Sequence, residues 1–171
     1  MKVVADAGPL MALGKLGLVY LLHELFEQVL IPTAVYEEVV TRGLDLGQPD
    51  AYAVQLAITR QEIVVMNVRD DDLLASVRVL PLARGERHAI HLALRESADW
   101  ILLDDQLARE EAQRLELKIK GTLGVISEAY RRGLTTHQET EFIFQAILTN
   151  DDIWISEALV RRVWEQLQKH R

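Results

Sequence analysis

A chain of 171 residues with 49% hydrophobic and 26% charged side chains can bury one core without covalent staples and is too apolar to stay disordered. It has no cysteine, which excludes disulfides and thiolate metal sites and is compatible with a reducing, cytoplasmic setting. The formal charge of -7 argues against a broad basic surface for phosphates, no stretch approaches the roughly 20 apolar residues of a membrane span, and the first residues lack a signal-peptide pattern.

Lys2 to Asp6 reads as a short buried strand that ends on an acid. Gly8-Pro9 turns the chain, with Pro9 suited to a first helical position, and residues 9–25 are apolar at helical spacing, broken into two helices at Gly14 and Gly17. Val29-Leu30-Ile31 is a second strand stopped by Pro32, and a helix over 33–42 closes at Gly43. A loop around 45–49 leads to a helix near 50–60 and a third strand over 62–68. Arg69-Asp70-Asp71-Asp72 opens a short helix or loop, acids being favoured at such a start. A helix over about 85–97 precedes the strand 100–103, a helix from Asp104-Asp105 to Leu115, a last strand 117–119 and a helix over 121–133. Two amphipathic helices, about 136–148 and 156–169, end the chain. Strands alternating with helices predict an α/β domain over residues 1–133, its parallel sheet of four to five strands covered on both faces, with residues 134–171 as a helical extension packed on it.

Sites in open parallel sheets form beyond the carboxyl ends of the strands. Asp6 ends the first strand, and Asp104 and Asp105 end the strand at 100–103, so two separate strands deliver carboxylates to one edge. Each is also a natural helix cap. Glu86 falls on one line with Ile90, Ala93 and Ser97, the core-facing stripe of its helix, where a carboxylate must be paired, protonated or metal-bound. Arg87, His88, His91 and Arg95 occupy the opposite, solvated side. Glu37 and Glu38 flank the apolar arc of Val35, Tyr36, Val39 and Val40 at similar angles, and periodicity does not choose between them. The stretch from Gly8 to Gly14-Lys15 is one residue too long for a phosphate loop and has Leu16 in place of Ser or Thr. Trp100, Trp154 and Trp164 sit in apolar patterns and read as packing residues.

Five segments in order resemble the PIN-domain family, and most of all its branch of nucleases close to the VapC toxins. They are Val3-Val4-Ala5-Asp6-Ala7-Gly8-Pro9-Leu10; Ile31-Pro32 with Val35-Tyr36-Glu37-Glu38-Val39; Gly85-Glu86 with Ala89-Ile90 and Ala93; Leu102-Leu103-Asp104-Asp105 with Ala108-Arg109; and Gly121-Thr122-Leu123-Gly124-Val125. The resemblance implies a three-layer α/β/α fold and an endoribonuclease that gathers three or four acids around Mg2+ or Mn2+. By it the acids are Asp6, Glu38, Glu86 and one or both of Asp104 and Asp105, with Asp6, Glu86, Asp104 and Asp105 as metal ligands. It also implies a small antitoxin as partner and a homodimer. Gly8 stands where many members have Ser or Thr, and Glu86 where many have Asp. Lys15, Arg84 and Arg109 neighbour the motifs and are the candidates for contacts to RNA phosphates. Two competing readings are a catalytically silent interaction or nucleic-acid-binding module of the same fold, and a receiver domain phosphorylated on Asp104 or Asp105. The latter lacks the adjacent acids such domains carry after their first strand.

Overall fold

The computed structural model describes residues 1–169 of the chain. β1 (Lys2–Ala5) carries Val3, Val4 and Ala5, all sealed from water. Such a run, buried on both faces, belongs at the centre of a parallel sheet. β2 (Gln28–Pro32) and β3 (Val64–Met66) extend the sheet on one side, β4 (Trp100–Leu102) and β5 (Ile119–Lys120) on the other. All pairings are parallel, and the order is β3-β2-β1-β4-β5.

The helices are α1 (Ala7–Lys15), α2 (Tyr20–Leu25), α3 (Thr33–Tyr36), α4 (Arg42–Asp45), α5 (Pro49–Thr59) and α6 (Ala75–Arg78), then α7 (Arg84–Arg95), α8 (Gln106–Arg114), α9 (Thr122–Arg131), α10 (His137–Thr149) and α11 (Glu157–Lys169). Residues on successive positions of a strand point to opposite faces, and β1 divides its side chains accordingly. Val3 and Ala5 join one core with helical residues such as Leu10, Val54, Val125, Phe144 and Val160, whereas Val4 joins the other with Val77, Ile90 and Ala108. The result is a three-layer α/β/α fold. α10 and α11 pack on α9, and Phe144, Ile147, Val160 and Leu167 lie in the same core as Val3. Among the described residues no helix is long and apolar enough to cross a membrane.

Three local departures from the sequence reading have physical causes. α1 starts at Ala7, so Pro9 is its third residue and the chain does not turn at Gly8; a proline there still lacks only a donor that a first turn leaves unused. Gly43 does not end a helix. The segment continues through a π-helical turn (Glu37–Thr41) into α4, and a Cβ on Gly43 would lie 2.5 Å from that of Ala51, so the glycine admits α5 at close range. Finally, His88 and His91 are buried, not solvated. His91 Nδ1 accepts from the Leu74 amide at 3.3 Å, and His88 Nε2 lies 2.9 Å from Asp70 Oδ1, so the segment before α7 covers the face that periodicity leaves open.

Candidate functional site

From β1 the chain winds outwards to β2 and β3, then returns to β4 on the other flank of β1. The order of the sheet reverses between β1 and β4, where a crevice opens beyond the carboxyl ends of the strands. Asp6 follows β1 directly, and its amide donates to the Leu102 carbonyl at 3.1 Å, which holds it beside the end of β4. Asp6 precedes α1, yet its side chain makes no capping hydrogen bond. The carboxyl is 6% exposed, and its Oδ1 is buried without a hydrogen-bond partner among the described residues. Burial pushes its pKa up from 3.8 to about 7, opposed by the Ala7 amide and reinforced by the negative charges of Glu86, Glu38 and Asp104. The same four acids that chain order scatters therefore act on one another across the crevice.

Asp104 and Asp105 have divided roles. Asp105 is exposed and caps α8, accepting from the Ala108 amide at 2.9 Å. Asp104 is half-buried and accepts from Thr122 twice, from the amide at 2.8 Å and the hydroxyl at 2.6 Å. Burial raises the pKa of Asp104, while the Thr122 bonds and the charge of Arg109 oppose the rise. Arg109 Nη1 donates to the Leu103 carbonyl at 2.8 Å. A Cβ on Gly121 would stand 2.8 Å from Asp104 Oδ1 and 3.0 Å from Arg109 Nη1, so a side chain at 121 would displace these two groups.

The glutamates complete the rim. Glu37 is exposed and paired with Arg84 Nη1 at 2.8 Å. Glu38 is half-buried beside α7: a Cβ on Gly85 would lie 3.0 Å from Glu38 Oε2 and 3.7 Å from Asp6 Oδ1. Both glutamates open the π-helical turn, a bulge type that recurs at functional sites because it re-aims side chains. Glu86 is half-buried and accepts from the Ala83 amide at 3.0 Å. Burial raises its pKa first, and the charges of Asp105 and Glu38 add to the rise.

The donor set is hard oxygen, which suits a divalent cation such as Mg2+ or Mn2+. The unpartnered, buried Asp6 Oδ1 is an oxygen that such a cation could satisfy. Among the described residues, however, no three His, Asp or Glu side chains stand as close together as a metal centre requires. Like charges repel, and Glu86, Asp104 and Asp105 are each held by a donor of their own.

The basic candidates are dispersed. Lys15 Nζ donates to the Asp152 carbonyl at 2.8 Å, and Arg84 is shared between Glu37 and Asp70. Of the three, Arg109 lies beside the carboxylates. Thr122 had no role assigned from sequence, although it lies in the fifth motif; its contact with Asp104 spans 18 positions and leaves no periodic signal. Trp154 is 91% exposed, which overturns its reading as a packing residue.

A family model described as a PIN domain (DUF3368) matches residues 2–169. No curated protein sequence matches the chain. PIN domains are in general nucleases. With the five-stranded parallel sheet, the flanking helices and a match over nearly its whole length, this chain belongs to the PIN-domain family.

Proposed function

We propose that this protein is a metal-dependent endoribonuclease that hydrolyses RNA phosphodiester bonds at the crevice between β1 and β4. The observation that carries the reading is Asp6: a buried carboxyl with an unpartnered oxygen, whose pKa is pushed to about 7 by burial and by three further acids. A structural role leaves such a group at a net cost. Asp6, Glu38, Glu86 and Asp104 would hold Mg2+ or Mn2+, with Asp105 capping α8 beside them. When bound, such a cation would supply positive charge for the phosphate oxygens and lower the pKa of a water. The protein's own groups do the positioning. Thr122 fixes the rotamer of Asp104 through two hydrogen bonds, Arg109 adds a guanidinium beside it, and Asp6, its pKa raised to about 7, is only partly ionised at neutral pH, so that a bound positive charge would release its proton. In hydrolysis, water oxygen bonds to phosphorus, the bond to the leaving ribose oxygen breaks, and that oxygen takes up a proton.

The finer reading is a toxin of a toxin–antitoxin pair, working as a homodimer in the cytoplasm and silenced by a small antitoxin laid over the carboxylates. Its support is the likeness of the five motifs to that branch, and a short adjacent gene for a DNA-binding protein is the observation that would test it. The direct test of the nuclease is labelled RNA with Mn2+ and the purified protein, beside Asp6→Asn. We expect cleavage by the first alone and a Mn2+-dependent rise in its melting temperature that the variant lacks. Equal cleavage by both would remove the proposed site. The splayed carboxylates favour one alternative, a silent module of the same fold. In that case calorimetric titration with Mn2+ gives no heat of binding.

A further inference from the structure

A cleft of about 560 Å³ is lined by Asp104, Arg109, Lys120, Gly121, Trp154 and Leu159, among others. That volume lies within the roughly 300 to 1,000 Å³ of pockets that take small organic groups. Trp154 lines it with 91% of its own surface open to water. The turn that bears it is pinned just before the indole. Ile153 is buried in the main core, the Asp152 amide donates to Asn150 Oδ1 at 2.9 Å, and Lys15 Nζ donates to the Asp152 carbonyl at 2.8 Å. The indole is thus held out from a tethered loop.

Building on the nuclease reading, we propose that Trp154 is a stacking shelf for a base of single-stranded RNA whose backbone passes along the cleft to the carboxylates. Three observations favour a nucleic-acid strand. The cleft is lined by Asp104, one of the acids of the crevice. Its walls carry Arg109 and Lys120, and Asp104 is the sole acid among the described lining residues of a protein whose net charge is -7. The same lining includes Trp154, whose exposed aromatic face offers a surface on which a base can stack while its phosphate backbone meets the cations. The Lys120 ammonium lies 4.2 Å from the Trp100 ring centroid and 4.0 Å from Glu128 Oε2, contacts that a strand would have to share. A stacked base also explains why sequence pattern misplaced Trp154: an apolar residue recruited for a ligand looks like a core residue in one dimension.

The test is equilibrium binding by fluorescence anisotropy, in the full chain carrying Asp6→Asn and in EDTA, so that nothing is cut. The probes are a labelled single-stranded oligoribonucleotide of about eight residues and an abasic strand of equal length. Trp154→Ala is expected to weaken binding of the base-bearing strand about tenfold, Trp154→Phe to retain most of it, and the abasic strand to bind both forms alike. Equal affinity of wild type and Trp154→Ala for the base-bearing strand overturns the shelf, and so does an equal loss on the abasic strand. If Trp154→Ala leaves strand affinity intact but abolishes self-association of the chain, the cleft is a protein contact and the proposal fails. The nuclease reading is judged separately. A chain that binds strands through Trp154 but never cuts RNA retires that reading and keeps the shelf. One that cuts RNA with binding indifferent to Trp154 does the reverse.

Discussion

Asp6 keeps a proton that an ordinary aspartate loses some three pH units lower, and this has a measurable sign. Its folded pKa, about 7, exceeds its ordinary value of 3.8, so the folded state binds more protons than the unfolded state between those limits. Stability of the metal-free protein from this group is full below about pH 4 and is lost as pH rises to about 7. The loss is of the order of 4 kcal/mol. Asp6→Asn should therefore raise the melting temperature in EDTA at pH 8 by roughly 5 °C or more, and the gain should vanish near pH 4, as read by thermal unfolding across that range. A melting temperature of wild type that rises from pH 5 to pH 8 relative to Asp6→Asn contradicts this account. Thr122 acts one shell out. Thr122→Val removes the hydroxyl bond to Asp104 and keeps the amide bond, and losses of such outer partners cost about 10- to 100-fold in metal affinity or activity. We expect that loss in RNA cleavage with little change in the melting temperature.

At the scale of elements, the site depends on how closely helices approach one another. A Cβ on Gly14 of α1 would meet Asp50 of α5 at 2.6 Å from its Cβ and 2.9 Å from its Cα. A backbone atom cannot step aside, so Gly14→Ala should separate α1 from α5 and destabilise the protein by about 1 to 3 kcal/mol, measured by denaturant unfolding. Gly85 differs in kind. The atom its Cβ would meet at 3.0 Å is Glu38 Oε2, the end of a flexible side chain. Gly85→Ala should leave stability within about 0.5 kcal/mol and lower cleavage by moving Glu38, a separation visible when the same preparation is assayed for both. The π-helical turn belongs here as well. By altering the helical phase it sends Glu37 to Arg84 at the surface and sets Glu38 beside Gly85.

For the whole molecule, the decisive fact is a shared core. Phe144 of α10 and Val160 of α11 are buried in one cluster with Val3 of the central strand. Residues 134–169 should accordingly unfold together with the sheet, in one calorimetric transition. Phe144→Ala should lower the stability of that transition by about 3 to 5 kcal/mol. Two resolved transitions, with the sheet surviving the first, would show that the last helices form a separate unit. The shared core also bears on the proposed strand path, because α11 and the loop before it line the same cleft as Asp104.

Strand and helix succession was legible in the sequence because alternation and helical spacing are local and repeat many times. The same local logic placed Asp6 and the Asp104–Asp105 pair at strand ends, on one edge of a parallel sheet. What lay beyond it depended on remote neighbours. The division of Asp104 from Asp105 rests on Thr122, the burial of His88 and His91 on Asp70 and Leu74, and the exposure of Trp154 on a loop anchored by Lys15. The angular positions of Glu37 and Glu38 were ambiguous because a regular period does not register a π-helical turn. A chain's own spacing determines which faces are apolar, and only tertiary packing decides what lies against each face and which carboxyl loses its water.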